Sequence, residues 1–177
     1  MREVEIKAHA NEYEKTKSII DSICGEGKSV KKVDTYLINS SGQRLRVRNN
    51  NGSLETTVKK NTNMANGDEN NLEFEMDLGH TKEEDAIAFF SVLGYSFHFN
   101  KYKTGWDWNY DGVHIELLTV NDLGWFLEME ALIDFDADDK LIDECRKKLH
   151  SLLSKFGLDE REIETKSYKS MILKGEK

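Results

Sequence analysis

The sequence predicts an α+β protein in which antiparallel strands curl into a β-barrel of about eight strands, a tunnel with a charged interior and helices packed outside. Three observations lead there. Short runs alternate charged and apolar residues, as in Glu3-Val-Glu-Ile-Lys7 and Arg44-Leu-Arg-Val-Arg48. Successive side chains on a strand point to opposite faces, so each run has one charged face and one apolar face. The charges are sorted by sign from strand to strand, and helical patterns supply covers for the apolar faces. The charged faces must then look at one another.

The elements follow in order. After the first strand, Asn11-Glu-Tyr-Glu14 has the form of a capping box, and Ile19, Ile20 and Ile23 mark the buried face of a helix stopped by Gly25 or Gly27. Lys28, Lys31 and Lys32 are expected in a solvated connection. Val33 to Ile38 reads as a strand, followed by the Arg44–Arg48 ladder. Asn51-Gly52 is a two-residue hairpin signal, and Leu54 to Lys60 returns as the partner strand. Asn61 to Asn71 is expected to be a loop, either a lid over a bound ligand or plain disorder. Leu72-Glu-Phe-Glu-Met76 is a further acidic ladder. Thr81-Lys-Glu-Glu84 predicts a second capped helix, closed by Gly94. Tyr95 to Trp108 reads as one or two strands, Asp111-Gly112 as a turn, and Val113 to Val120 as a strand. Trp125 to Ala131 carries Glu128 and Glu130 as a last ladder. Asp136 to Phe156 has helical spacing in Leu141, Cys145, Leu149, Leu152 and Leu153, with Gly157 as its stop, and Ser167 to Leu173 predicts a final helical turn.

A chain of 177 residues, 38% hydrophobic and 33% charged, is expected to form one domain over 1–177, with no linker or tandem repeat. A formal net charge of -8 argues against nucleic acid and anionic membranes as partners. Any anion site must be a local basic concentration in an acidic protein. No apolar run reaches the roughly 18 residues of a membrane helix, and the expected location is the cytoplasm. Cys24 and Cys145 lie outside any CxxC spacing; reduced thiols are expected, a disulfide being the alternative.

Many like charges inside a narrow barrel would be prohibitive unless hydrated, paired, or holding ions and ligand. Glu3, Glu5, Glu73, Glu75, Glu128 and Glu130 offer hard oxygen ligands suited to Mg2+ or Mn2+. Lys7, Arg44, Arg46 and Arg48, with Lys59, Lys101 and Lys103, offer donors to phosphate oxygens, the arginines as planar forks. A wall of bases facing carboxylates and metal is apparatus for phosphoryl transfer on a small polyphosphate. The five histidines show no metal-ligand spacing. Trp106 and Trp108 either stack on a ring at the tunnel mouth or pack in the core or rim.

The ExExK run Glu3-Val-Glu-Ile-Lys7 resembles the signature of the CYTH superfamily, the triphosphate tunnel metalloenzymes. The resemblance continues through Asp34-Thr-Tyr36, Arg44 to Arg48, Thr57-Val-Lys59, Glu73-Phe-Glu75 and Lys101-Tyr-Lys103. It ends with Leu123 to Glu130 and Ser167-Tyr168. It implies an eight-stranded antiparallel tunnel that binds a triphosphate with Mg2+ or Mn2+, in a monomer or homodimer. Glu3, Glu5, Glu128 and Glu130 match the family's metal carboxylates, Glu75 its mid-strand acid, and Lys7, Arg44, Arg46, Lys59, Lys101 and Lys103 its triphosphate ligands. Lys7 and Glu5 are the catalytic candidates, Lys7 for orienting water or moving a proton. Two departures stand out. Lys103 replaces a usual arginine, and Leu118 replaces an aspartate, for which Glu116 on the same face is the candidate substitute metal ligand. The expected activity is metal-dependent hydrolysis of inorganic tripolyphosphate, thiamine triphosphate or a nucleoside triphosphate. The alternatives are a class IV adenylyl cyclase, making cyclic AMP and pyrophosphate from ATP, and a non-catalytic triphosphate- or nucleotide-binding module.

Overall fold

Alternation of apolar and charged residues makes strands that must hide one face, and the chain does so by closing a sheet on itself. The computed structural model describes residues 2–63 and 69–173, with side chains described outside 59–72. Within it run β1 (Arg2–His9), β2 (Lys28–Asn39), β3 (Arg44–Asn50), β4 (Ser53–Asn63), β5 (Glu69–Gly79), β6 (Tyr95–Tyr110), β7 (Val113–Val120) and β8 (Trp125–Ile133). They form a closed barrel in the order β1-β5-β4-β3-β2-β6-β7-β8. Closure is made by β1, antiparallel to β8 through Glu5↔Glu130 and Lys7↔Glu128, and antiparallel to β5 on its other edge. The expected α+β antiparallel barrel is the observed fold.

Two hairpins use left-handed residue pairs, Asn51-Gly52 (φ 52 and 92) and Asp111-Gly112 (φ 50 and 72), whose twist matches that of the flanking strands. Register shifts at Tyr36/Leu37 against β6 and at Leu54/Glu55 against β5 add local bend to the wall. Gly105 on β6 is the point of closest approach between strands, since a Cβ there would lie 2.1 Å from the Leu117 carbonyl oxygen.

The apolar faces point outward and are covered by α1 (Tyr13–Cys24), α2 (Glu83–Val92) and α3 (Asp139–Lys155). Val4 and Ile6 of β1, Ile115 and Leu117 of β7, and Leu127 and Met129 of β8 pack with Ile20 of α1 and Ile142, Leu149 and Leu153 of α3. Ala86 and Phe90 of α2 cover Leu37, Leu45, Val47 and Leu54 of β2 to β4. A third cluster is internal: α4 (Tyr168–Ile172), N-capped by the Ser167 hydroxyl, sets Tyr168 against Val30, Leu118, Val120 and Phe126.

Several local expectations are corrected. Glu12 holds the N-cap position of α1 and Lys82 that of α2, neither with a side-chain cap, so Asn11 and Thr81 do not cap; the Thr81 hydroxyl donates to the Leu78 carbonyl instead. Strand pairing takes Lys28, Lys31 and Lys32 into β2 rather than a connection. The expected loop over 61–71 is strand as far as Asn63 and again from Glu69; the proposed lid otherwise lies outside the described residues. On α3, Ile142 is buried and Leu141 exposed. Trp108 is core, donating its indole N–H to Asp21 and the Gly25 carbonyl, and Trp106 stacks on Trp125 at 5.7 Å between ring centroids. Packing accounts for both tryptophans. Cys24 and Cys145 are free thiols.

Candidate functional site: a charged tunnel

Because odd-numbered residues of β1 and β5 and even-numbered residues of β3, β7 and β8 point inward, the charged ladders line one cavity of about 360 Å³. It receives Glu3, Glu5 and Lys7 from β1, and Arg44, Arg46 and Arg48 from β3. Glu73 and Glu75 of β5, Lys101 and Lys103 of β6, Glu116 of β7, and Glu128 and Glu130 of β8 complete the expected set. Lys59 stands on β4 opposite Glu73, its side chain outside those described. The structure brings the expected residues other than Lys59 to one cavity and adds how they are wired.

Asp34 is the anchor of the basic wall. It is fully buried on β2, accepts from Arg48 Nε at 2.6 Å and Nη2 at 3.0 Å, and lies 3.1 Å from Lys101 Nζ. Burial alone would raise its pKa, but Lys101 and Arg48 hold the carboxyl well below the usual carboxylate range. Lys101 also donates to the Tyr36 hydroxyl at 3.2 Å. Burial opposes ionisation of Tyr36, and the Lys101 charge outweighs it, so the phenol is shifted down. Arg46 donates to Thr57 Oγ1 at 2.8 Å and lies 3.4 Å from Glu55. Its Nε is buried without a hydrogen-bond partner among the described residues. Arg44 is exposed.

A second network crosses the inner end. Lys32 of β2 is paired with Glu116, whose other oxygen is 3.9 Å from Lys103. Lys103 donates to Glu128 at 2.6 Å, and Glu128 accepts the Tyr168 hydroxyl at 2.5 Å. Burial would neutralise Lys103, yet Glu128 and Glu116 hold its pKa above the ordinary lysine value, and both carboxyls are shifted down against burial. The Tyr168 ring has Lys7, Lys101 and Lys103 at 4.5, 5.2 and 5.4 Å from its centroid. Burial and the Glu128 charge keep its phenol protonated, well above the usual pKa. Lys7 donates to the Lys166 carbonyl at 2.7 Å, so the segment leading into α4 ties the tunnel floor to β1.

The acidic part differs. Glu130 is paired in register with Glu5 and hydrogen-bonds Glu3. Burial, then the charges of Glu3 and Glu5, push its pKa up to about 9. Two carboxyl groups sharing a proton beside a third, all presenting oxygen, is the donor chemistry of a hard divalent cation. Among the described residues no three acidic or imidazole groups are gathered into a finished coordination site. The donor set fits a cation in chemistry, since a bound cation would relieve the repulsion that helps to raise the Glu130 pKa.

A model of the CYTH domain matches residues 1–168. This chain belongs to the CYTH domain family. Among solved structures it is similar to the PH1012 protein from Pyrococcus horikoshii, 27% identical over 94% of this chain and 96% of that one, with a TM-score of 0.79. A candidate adenylate cyclase from Vibrio parahaemolyticus is 19% identical over 96% and 97% of the two chains, TM-score 0.78. A Hippeastrum protein, described as a candidate adenylyl cyclase with a dominant triphosphatase activity, is 12% identical over 97% and 93%, TM-score 0.65. Likeness to these last two is one of fold. No curated protein matches the chain.

The CYTH membership and the closed barrel agree with the sequence. Lys32, Glu55 and the binding partners of Asp34 and Tyr168 were not legible there. Lys32 had read as solvated, and the only available signal was its parity with Asp34 on one strand face. Leu118 is completely buried against Tyr168 and Phe126, away from the cavity lining, while Glu116 does face the cavity. No helix among the described residues is long and apolar enough to cross a membrane.

Proposed function

We propose that this CYTH protein is a metal-dependent phosphohydrolase that cleaves the terminal phosphoanhydride of a small triphosphate bound in the tunnel. The observation that carries the reading is the lining itself: a basic wall and a carboxylate cluster face one another across a single narrow cavity. A triphosphate carries several negative charges and spreads further charge on its equatorial oxygens as it reacts. Fixed cations in a water-poor wall stabilise that charge with little reorganisation.

Arg46 is the best-placed phosphate donor, since its buried Nε lacks a partner among the described residues. Arg44 extends the wall toward solvent. Lys7, Lys101 and Lys103 are held over the Tyr168 ring and present ammonium charge to the same space, with Arg48 fixed behind them by Asp34. Lys59 is the register partner of Glu73 on β5 and is assigned to the same wall. Glu3, Glu5 and Glu130 are the carboxylates assigned to Mg2+ or Mn2+, with Glu128, Glu116 and Glu75 around them. When bound, the ion supplies charge neutralisation on phosphate oxygens and a lowered pKa for a ligated water. Lys7 sits between Glu128 across the strand pair and the phosphate wall, where its ammonium can orient the attacking water, with Glu5 as a proton acceptor.

Phosphorus NMR of the protein with tripolyphosphate, thiamine triphosphate and ATP, each with Mg2+ or Mn2+, tests the proposal. Orthophosphate and a shortened chain support it and name the substrate. Pyrophosphate with cyclic AMP would make the protein a cyclase, and shifted triphosphate signals without product would make it a binding module.

A further inference from the structure

The segment that leads into α4 does more than close the tunnel end; it brackets one residue of β1. The Glu164 amide donates to the Lys7 carbonyl at 2.8 Å, and the Lys7 ammonium donates to the Lys166 carbonyl at 2.7 Å. The contact continues along β1, where Ala8 bridges to Ile163 and His9 meets Glu164 at 3.0 Å. Lys7 is buried, and its Nζ stands 4.5 Å from the centroid of the Tyr168 ring. A carbonyl and a ring face both attract an ammonium, and neither cancels its charge. Lys101 and Lys103 lie 5.2 and 5.4 Å from the same centroid, but each is also tied to a carboxylate, Asp34 at 3.1 Å and Glu128 at 2.6 Å.

Glu128 is the register partner of Lys7 on β8. Both its oxygens are engaged, Oε1 by the Tyr168 hydroxyl and Oε2 by Lys103. One tyrosine therefore occupies the carboxylate beside Lys7 and offers the ammonium a ring face instead. Tyr168 is itself held in place: its ring meets Phe126 at right angles, centroids 5.1 Å apart, and Ser167 caps the helix it opens. We propose that Tyr168 is a positioning residue whose ring holds the Lys7 ammonium, charged and un-neutralised, for the triphosphate. The inference rests on the reading of the tunnel as a triphosphate site, and it makes the segment before α4 part of that site. Without the ring's attraction, Lys7 relaxes toward a carboxylate and the tunnel loses a phosphate donor while its fold persists.

The test alters the ring's electrons and leaves its shape nearly constant. Tyr168→Phe removes the hydroxyl, and fluorinated phenylalanines incorporated at the same position withdraw density from the ring face step by step. Affinity for the bis-methylene analogue of tripolyphosphate, which resists hydrolysis, is read by titration calorimetry with Mg2+ present. It is expected to fall with each added fluorine, reaching about tenfold below Tyr168→Phe for the pentafluoro ring, the scale of one desolvated cation–π contact. In a Lys7→Gln background the same series should span less than about threefold, because the residue through which the ring acts is gone. A packing role predicts neither dependence. Should Tyr168→Phe not fold, fluorinated tyrosines, which keep the hydroxyl, carry the same series. A span below about threefold with Lys7 present, or above it with Lys7 replaced, would overturn the inference while leaving a triphosphate tunnel standing. No binding of the analogue by the wild-type protein would overturn the proposed function itself, and the inference with it.

Discussion

Glu128 and Glu130 lie two residues apart on the same inward face of β8, yet they inhabit opposite electrostatic worlds. Glu128 is held by Lys103 at 2.6 Å and by the Tyr168 hydroxyl at 2.5 Å, and its pKa is shifted down. Glu130 shares hydrogen-bonding space with Glu3, is crowded by Glu5, and has its pKa pushed up to about 9. The first arrangement is a finished structure in which each charge meets its opposite. The second stores repulsion. Burial alone does not mark a functional carboxylate; Glu128 is buried and Glu130 half-buried, and what distinguishes them is that Glu128 meets an ammonium at hydrogen-bond distance whereas Glu130 meets other carboxyl groups. The paired region builds the wall, and the crowded region is where a ligand cation has something to offer.

The largest effect expected from this contrast is catalytic. Glu130→Gln removes an oxygen ligand from the crowded set, and with Mg2+ or Mn2+ saturating, orthophosphate release should fall by about a thousandfold, the equivalent of several kcal/mol of transition-state stabilisation. Its metal-free stability in urea at pH 7 should hold or rise, because the wild-type carboxyl, its folded-state pKa pushed up to about 9, must take up a proton on folding. A variant retaining activity within a factor of about ten would dissolve the distinction between the two glutamates.

Asp34→Asn probes the paired region, where the effect should appear in stability. Removing the carboxylate leaves Arg48 and Lys101 buried without their shared counter-charge, a loss of about 3–5 kcal/mol for a broken buried pair. The sign with pH follows from the depressed native pKa. The wild-type advantage is fully present above the ordinary aspartate value of about 3.9 and is lost as pH falls through the lower folded-state value. Urea midpoints of the two proteins should therefore differ at pH 7 and converge in strong acid. Equal midpoints at pH 7 would show the Asp34 network to be dispensable.

Leu118→Asp asks whether the departure from the family pattern conceals a latent carboxylate position. Leu118 has no exposed surface and packs among Val30, Val120, Phe126 and Tyr168. An aspartate there enters an apolar setting, and destabilisation of about 2–5 kcal/mol is expected from the lost packing and buried charge. No gain in turnover should accompany it. A stable, more active variant would mean that the α4 plug moves aside to admit a metal ligand at 118.

The barrel was legible in the sequence because its cause is local: period-two ladders and Asn-Gly and Asp-Gly turns speak for themselves within a few residues. The wiring was not. Lys32 meets Glu116 84 residues away, and Tyr168 meets Glu128 40 residues away. Those meetings exist only after β2 has paired with β6 and α4 has closed the tunnel end, so no local pattern announces them. The misjudged caps at Asn11 and Thr81 have the opposite cause. Local chemistry there was permissive, and tertiary packing chose different helix starts.

Arg44 and Arg48 carry the contrast to its finest scale, on one strand and one face. Arg48 has its fork committed to Asp34 and its Nη1 3.5 Å from Glu55, whereas Arg44 is exposed. If wiring decides role, Arg48→Ala should resemble Asp34→Asn and show chiefly as lost stability. Arg44→Ala should leave the urea midpoint unchanged and raise the KM for triphosphate by about five- to tenfold, the scale of one solvated charge-assisted contact. Its kcat should hold, because an arginine at the solvent end grips ground state and transition state alike. A fall in kcat at unchanged KM would move Arg44 to the reacting phosphate and reverse the assigned polarity of the tunnel, with the terminal phosphate at its open end.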